Sequence, residues 1–161
     1  FNTGAEANVR WAGGLTHTEA GRPISTHTSV GTRGRAQLDL RQQHGVDLTR
    51  VVIGHCDLGD NLETVRRIIE RGAYVQFDTI GKNSYYPDEK RVAMLAELAR
   101  RSLTGRVMLS MDITRRSHLH ANGGPGFDYL LKTFVPMMRA AGIGPDAITQ
   151  MLQHNPHHFF K

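Results

Sequence analysis

Several features that mark particular classes of protein are scarce or missing in this sequence. Its 161 residues contain one cysteine, Cys56, which excludes an internal disulfide framework and a zinc site built from several thiolates. No apolar run reaches the roughly 18 residues that suggest a membrane-spanning helix. No basic segment followed by an apolar one opens the chain, so we expect neither a signal peptide nor a membrane partner. These absences favour a reducing, cytoplasmic setting.

Positive charge is in modest excess. Lys and Arg number 20 against 15 Asp and Glu, which gives a formal net charge of +5, and 16 of the 20 are arginine. The arginines are scattered in pairs, and no RNA-recognition, zinc-finger or basic-zipper pattern accompanies them. We therefore predict no nucleic-acid partner; such binding is the weaker alternative and would show a steep salt dependence. A small anionic or ester substrate is another use for a few of these cations.

Short β-prone segments alternate with helical patterns along the chain. The predicted strands are residues 23–28, 51–55, 73–78 and 106–112, and the predicted helices are residues 34–44, 60–71, 87–100, 127–134 and 145–154. This alternation predicts parallel βαβ units with helices outside. No G-x-G-x-x-G turn follows any strand, which disfavours a nucleotide-binding sheet and favours a (β/α)₈ barrel. A complete barrel has eight such units and about 250 residues, whereas four are visible here.

Helix boundaries are predicted from capping residues and prolines. Asp60 with Glu63 resembles a capping box, and Gly72 would follow the end of the same helix. Pro136 predicts a kink or break, and the pair 155–156 (Asn-Pro) predicts the end of the last helix. The helical segments are therefore expected to be short and separate.

Metal-competent side chains end three of the four predicted strands, namely His27, His55 and Asp112. Barrel enzymes keep their active sites at this carboxyl-terminal rim. Imidazole and carboxylate groups are ligands for zinc and similar metals, and a catalytic zinc needs about three of them plus an open position. We predict that all three bind a divalent metal and that Asp112 also accepts a proton from the attacking water. The alternative is three hydrogen-bonded strand ends without a metal.

Two cations follow the last two strands and lie on the same predicted rim. Lys82 and Arg115 are predicted to hold a phosphate or carboxylate of the substrate, Arg by its planar fork and Lys as a point charge. The alternative is ordinary loop charge paired with Asp88 or Glu89. Cys56 directly follows His55, but neighbouring strand residues point to opposite faces, so we predict a buried structural thiol.

Four motifs in order resemble the phosphotriesterase family of the amidohydrolase superfamily over residues 15–160. They are Arg22–Thr28, Val51–Leu58, Tyr74–Arg91 and Arg106–Ser117. The resemblance implies a (β/α)₈ TIM barrel with two metal ions, usually zinc, that activate a hydroxide for hydrolysis. It also implies roles for five residues: His27 and His55 as the ligands closing strands five and six, Asp112 as the strand-eight ligand and proton acceptor, and Lys82 and Arg115 as the phosphate contacts found in members that act on phosphorylated sugar lactones.

One half of the family pattern has no counterpart in this sequence. The family's His-x-His pair of strand one and the bridging carboxylated lysine or glutamate of strand four are missing, and with them most ligands of the second metal. The expected fold is therefore α/β, the second half (strands five to eight) of a TIM barrel. We expect one partial domain over residues 1–161, in which 1–14 match poorly and 15–161 form the half-barrel.

Two functions follow from the resemblance. The first is a metal-dependent hydrolase of a phosphoester or a phosphorylated sugar lactone. The second is a non-catalytic, truncated half-barrel whose open strand edges favour a homo-oligomer.

Overall fold

A parallel sheet of four short strands organises the molecule. The structure is a computed structural model, and it describes residues 12–13, 16–17, 19–28 and 34–161. The strands are β1 (Ile24–Thr26), β2 (Val51–Ile53), β3 (Tyr74–Phe77) and β4 (Val107–Leu109), and they pair in the order β1-β2-β3-β4. All three pairings are parallel and join strands that are consecutive in the chain. The predicted parallel βαβ repeat is confirmed, with strands shorter than predicted because their ends leave the sheet as rim loops.

Helices follow each strand. They are α1 (Gly34–Gln43), α2 (Leu62–Glu70), α3 (Asp88–Arg100), a π-helical segment (Leu130–Phe134) that runs into α4 (Val135–Ala140), α5 (Pro145–Thr149), a second π-helical segment (Gln150–His154) and α6 (Asn155–Phe160). Short 3₁₀ turns at Arg116–His118 and His120–Asn122 occupy the loop after β4. No helix among the residues described is long and apolar enough to cross a membrane.

Two predicted helix boundaries are wrong. Helix α2 begins at Leu62 after Asn61, which makes no side-chain cap, and Asp60 instead accepts a hydrogen bond from the Tyr86 hydroxyl. The last helix does not end at Asn155 but continues through α6, with Pro156 in its first turn. Proline is tolerated there because the first amide groups of an α-helix have no acceptor within that helix, so the missing N–H of proline breaks no hydrogen bond. The preceding π-helical segment supplies that change of register.

Of two other predicted boundary features, the structure confirms the one at Gly72. Gly72, just past α2, has φ +88°, the left-handed conformation that ends many helices. At Pro136 the break is absent, because the chain stays helical and only changes from π-helical to α-helical geometry, with the proline at the start of α4; a kink at this position stays a prediction.

Alternate strand residues point to opposite faces of the sheet, and each face has its own core. The outer face packs against the helices; its strand members are Val51, Ile53, Val75, Phe77, Val107 and Leu109. The inner face carries Val52, Tyr74 and Met108, which form a separate buried cluster with Phe159 of α6. The continuous apolar strand sequences therefore reflect burial on both faces. Because the strands are parallel, their carboxyl ends share one edge, where the candidate site lies.

Candidate functional site

The predicted ligands His27 and His55 lie side by side at the ends of β1 and β2. Their ring centroids are 4.4 Å apart and the rings are perpendicular. Gly54 permits this approach: its amide donates to the Thr26 carbonyl at 2.7 Å, and a Cβ at this position would lie only 2.7 Å from the same oxygen. The short sequence Gly-His therefore brings the second imidazole against the first.

Hydrogen bonds from neighbouring elements fix the backbone around His27. The side-chain amide of Gln37, on α1, donates to the His27 carbonyl at 2.8 Å. The Thr28 hydroxyl donates to the Gly54 carbonyl at 2.7 Å and is almost completely buried. These two bonds tie the end of β1 both to the helix outside it and to the next strand.

His55 is held through both its backbone and its ring by Asp78, which directly follows β3. Asp78 Oδ1 lies 3.0 Å from the His55 amide nitrogen and 2.7 Å from Nδ1. The backbone of His55 has φ +56°, a left-handed conformation that non-glycine residues adopt mainly where surrounding contacts enforce it. A carboxylate at Nδ1 favours the tautomer with its proton there, which leaves Nε2 as the nitrogen able to bind a metal.

Burial raises the pKa of the Asp78 carboxyl to about 6, against the opposing effect of its hydrogen bond from His55. The carboxylate is thus held close to an imidazole in a site with little solvent, which strengthens the hydrogen bond between them.

Asp112 also has a left-handed backbone, with φ +47°, at the end of the β4 segment. Its carboxylate forms an ion pair with the Lys82 ammonium, whose side chain is only 8% exposed. The structure therefore brings a predicted metal ligand to a predicted substrate cation. The alternative pairing of Lys82 with Asp88 or Glu89 is not the one observed.

The three predicted ligands do not close around one point. Within residues 12–13, 16–17, 19–28 and 34–161, no group of three or more His, Cys, Asp and Glu side chains is arranged to hold one metal ion. The donor set nevertheless fits a divalent metal in part: two adjacent imidazoles, one of them oriented by a buried carboxylate, are typical of such centres. Asp112 lies on the same rim, where Lys82 neutralises its charge.

The two predicted substrate cations share a cleft of about 420 Å³ between the loops that follow β3 and β4. It is lined by Gly81, Lys82, Asn83, Ser84, Tyr85, Arg115, His118 and Pro125. The Lys82 ammonium also lies 5.7 Å from the centre of the Tyr85 ring. This cationic cleft, as we call it, has the composition expected of a site for a small anion.

Cys56 is 1% exposed, and its thiol donates to the Ile53 carbonyl at 3.3 Å. Burial raises the pKa of this thiol well above its usual range. The prediction of a buried structural thiol is confirmed.

Sequence reasoning missed three charged residues behind the rim: Asp78, Asp57 and Arg91. Asp57 and Arg91 are fully buried and form an ion pair at 2.8 Å. A signal for each was present: Asp78 ends the third predicted strand as His27 ends the first, and Arg91 has the same helical spacing as the apolar residues of α3 that face the sheet. Buried charges of this kind require partners, which a single sequence does not identify.

A family model described as "Phosphotriesterase family" matches residues 2–160. The chain is 61% identical over 159 residues to the phosphotriesterase homology protein of Escherichia coli, covering 99% of this chain and 54% of that protein. It is 31% identical over 153 residues to the phosphotriesterase homology protein of Mycobacterium tuberculosis, covering 90% and 47%. The chain spans about half the length of these curated relatives.

Solved structures match equally well. A crystal structure of the Escherichia coli protein, with phosphate in its active site, superposes with a TM-score of 0.97 and covers 99% of this chain and 55% of that one. A lactonase from Listeria monocytogenes, 27% identical, superposes with a TM-score of 0.95 and covers 100% and 51%. The four βα units therefore match about half of a TIM barrel of this type, as predicted.

Proposed function

Because the chain belongs to the phosphotriesterase family, we propose that it carries half of the active site of a metal-dependent hydrolase. Its substrate would be a phosphoester or a phosphorylated sugar lactone. The observation that carries the proposal is the adjacency of the His27 and His55 rings at the strand-end edge that also holds the cationic cleft. The phosphate in the Escherichia coli relative and the lactonase from Listeria support the two substrate classes.

His27 and His55 would bind the metal, zinc being the expected ion, and Asp78 would keep the His55 ring in the required tautomer. A divalent metal in such a site lowers the pKa of water and so makes hydroxide available at neutral pH. The family resemblance implies two metals in a complete barrel. Most ligands of the second would belong to the half of the relatives that this chain does not span.

Lys82 and Arg115 would bind the anionic group of the substrate, and Asp112 would take the proton from the attacking water. Lys82 already contacts Asp112, so an anion bound by Lys82 would sit next to this carboxylate. Holding a substrate by its anionic end lowers the entropic part of the activation free energy, because the reacting groups are already positioned. In this way the cleft would align the ester or lactone with the two histidines.

A second candidate is a non-catalytic half-barrel, with residues 1–161 as one partial domain in which 15–161 form the half-barrel. The observation in its favour is that Asp112 is paired with Lys82 instead of completing a three-ligand group among the described residues. In the part of the chain that the structure describes, strands β1 and β4 lie at the two ends of the four-stranded sheet, and edges that stay unpaired there favour association with a second copy. Such a chain would fold and self-associate but would bind metal weakly.

Metal content separates the two candidates. Elemental analysis of the purified chain is expected to find about one zinc or similar ion per molecule. His55→Ala is expected to lose this ion, and His44→Ala, a change to an exposed histidine away from the rim, to retain it. A folded chain without metal favours the non-catalytic candidate, and a metal retained in His55→Ala refutes the assignment of His55.

A further inference from the structure

Arg91 is a fully buried guanidinium in the first turn of α3. Its Nε donates to Asp57 Oδ2 at 2.8 Å and its Nη2 to Thr79 Oγ1 at 2.7 Å. Its Nη1 donates to Asp88 Oδ1 at 2.7 Å and also to the backbone carbonyl of Tyr86. The planar fork is thus bonded to the loops after both β2 and β3.

One set of contacts leads from Arg91 to His55. Asp57 accepts hydrogen bonds from the Thr79 hydroxyl at 2.6 Å, the Thr79 amide at 3.1 Å and the Asp78 amide at 3.3 Å. These bonds fix the backbone from which the Asp78 carboxylate reaches His55. The orientation of the imidazole therefore depends on a network whose centre is Arg91.

A second set leads from Arg91 to Lys82. Asp88 accepts the Gly81 amide at 3.2 Å and the Tyr129 hydroxyl at 3.0 Å. Gly81 has φ +85°, so the chain turns sharply just before Lys82. The position of this ammonium in the cationic cleft is consequently set by the same guanidinium.

Stability alone gives no reason for this arrangement. Removing two carboxylates and a guanidinium from water costs free energy that their mutual attraction often does not recover, and apolar residues of similar volume commonly serve as well. A fully bonded polar network, by contrast, permits only one arrangement of the elements that it joins. Here the joined elements carry a metal-binding imidazole and an anion-binding ammonium.

We propose that Arg91 is a positioning residue of the hydrolytic site, which holds the His55 ring and the Lys82 ammonium in a fixed relation to each other. The inference rests on the proposed function, because it assigns those two groups to metal and substrate anion. It adds a buried residue that acts on His55 and Lys82 through Asp57 and Asp88. The two contact sets also make its effects separable, since Asp57 serves the metal side and Asp88 the anion side.

The test uses the 161-residue chain with Co²⁺ and inorganic phosphate as probes in titration calorimetry. Arg91→Lys keeps the charge but loses the fork, and we expect it to weaken both affinities about tenfold. Asp57→Asn should lower the affinity for cobalt more than the affinity for phosphate. Asp88→Asn should lower the affinity for phosphate more than the affinity for cobalt. Arg71→Lys is the matched control, because Arg71 binds Asp39 at the surface, and it should change neither affinity.

Nitrogen-15 NMR of the His55 ring in the metal-free chain gives a readout that does not need either probe. We expect one tautomer in the wild type and a mixture in Arg91→Lys. A folded Arg91→Lys chain with the wild-type tautomer and unchanged affinities overturns the proposal. If Arg91→Lys does not fold, Asp57→Asn is the second variant, because it weakens the direct Arg91–Asp57 ion pair while keeping the shape of the side chain, and an unchanged His55 tautomer in that variant overturns the proposal equally.

If the wild-type chain binds neither cobalt nor phosphate, the proposed function fails. The tautomer of His55 then still decides whether Arg91 orients the ring, so the two failures are distinguishable.

Discussion

The loops after β3 and β4 each carry one predicted substrate cation, but they are held in different ways. The loop after β3 is fixed by contacts with the interior of the protein: Thr79 and Ile80 are buried, and Asp88 accepts a hydrogen bond from the buried Arg91. The loop after β4 exposes Arg115 to solvent and consists largely of local turns, with main-chain hydrogen bonds within it. Lys82 is therefore positioned by the core of the molecule, whereas the position of Arg115 depends on its own loop.

The contrast has a consequence for function. A residue fixed by a buried network loses little further freedom when it binds a ligand, whereas an exposed loop residue must be ordered at that moment. Loops of the second kind are also the part of a barrel that changes with substrate. We expect Lys82 to supply affinity for the anion and the loop after β4 to supply selectivity.

The largest expected effect comes from removing one member of the buried network. Asp57→Ala leaves the Arg91 guanidinium buried without its carboxylate, and the free energy of unfolding should fall by about 3–5 kcal/mol. Urea denaturation followed by circular dichroism measures the loss. Asp39→Ala, which removes the carboxylate partner of the more exposed Arg71, should change the free energy of unfolding little. Equal losses of stability in the two variants would show that the buried ion pair is no more important than the surface one.

Gly54→Ala tests the close approach of β1 and β2. The new Cβ would lie 2.7 Å from the Thr26 carbonyl oxygen, so the strands must separate, at a cost of about 1–3 kcal/mol in stability. The His27 and His55 rings should separate as well, and cobalt binding should weaken. Gly105→Ala is the control, because apart from its chain neighbours no described residue places an atom within 4 Å of the new Cβ; similar stability of both variants would contradict the packing argument.

Asp78→Asn tests the orientation of the His55 ring. The amide keeps the shape of the side chain but removes the carboxylate at Nδ1, and the affinity for cobalt should fall about 10–100-fold. Calorimetric titration of the metal-free chain measures it. Asp146→Asn, at an exposed position in α5, should leave cobalt binding unchanged, and retention of full affinity by Asp78→Asn would show that the ring needs no carboxylate.

Phosphate binding compares the two loops directly. Lys82→Ala should weaken it about tenfold, because a poorly exposed ammonium is little screened by solvent. Arg115→Ala should weaken it less, and its effect should decline as salt is added, because Arg115 is exposed. Lys90→Ala, which removes an exposed cation that pairs with Asp60, serves as the control. The reverse order of the two losses would refute the contrast between the loops.

The smallest effect is expected at the exposed ion pairs of α3. Hydrogen bonds from Arg100 and Arg101 lower the pKa of Glu97 from 4.5 to about 2. Any stabilisation from this lowered pKa is present above pH 4.5 and is lost as the pH falls towards 2. Because Arg100 and Arg101 are exposed and Glu97 is only partly buried, Glu97→Gln should change the melting temperature very little at pH 7. A large change would show that surface pairs matter here as much as the buried network.

Most of the fold could be predicted from the sequence, but the buried residues that hold the site residues in place could not. Four strands, their parallel arrangement and the placement of His27, His55 and Asp112 at strand ends all follow from local periodicity, and the structure confirms these positions. The metal and phosphate roles of these residues stay predictions. The prediction of a capping box at Asp60 is wrong because the Asp60 side chain accepts a hydrogen bond from the distant Tyr86. The predicted end of the last helix is wrong because a π-helical segment lets the helix continue past Pro156.

The sequence by itself determined the alternation of strands and helices and which residues reach the rim, because both depend on spacings of a few residues. Only the tertiary structure decided that Lys82 pairs with Asp112 and that Arg91 joins Asp57 to Asp88. The Lys82–Asp112 and Arg91–Asp57 pairs link residues 30 and 34 positions apart. The free energy of a charge depends on its burial and on the partners that surround it, and both are set only when distant segments pack together.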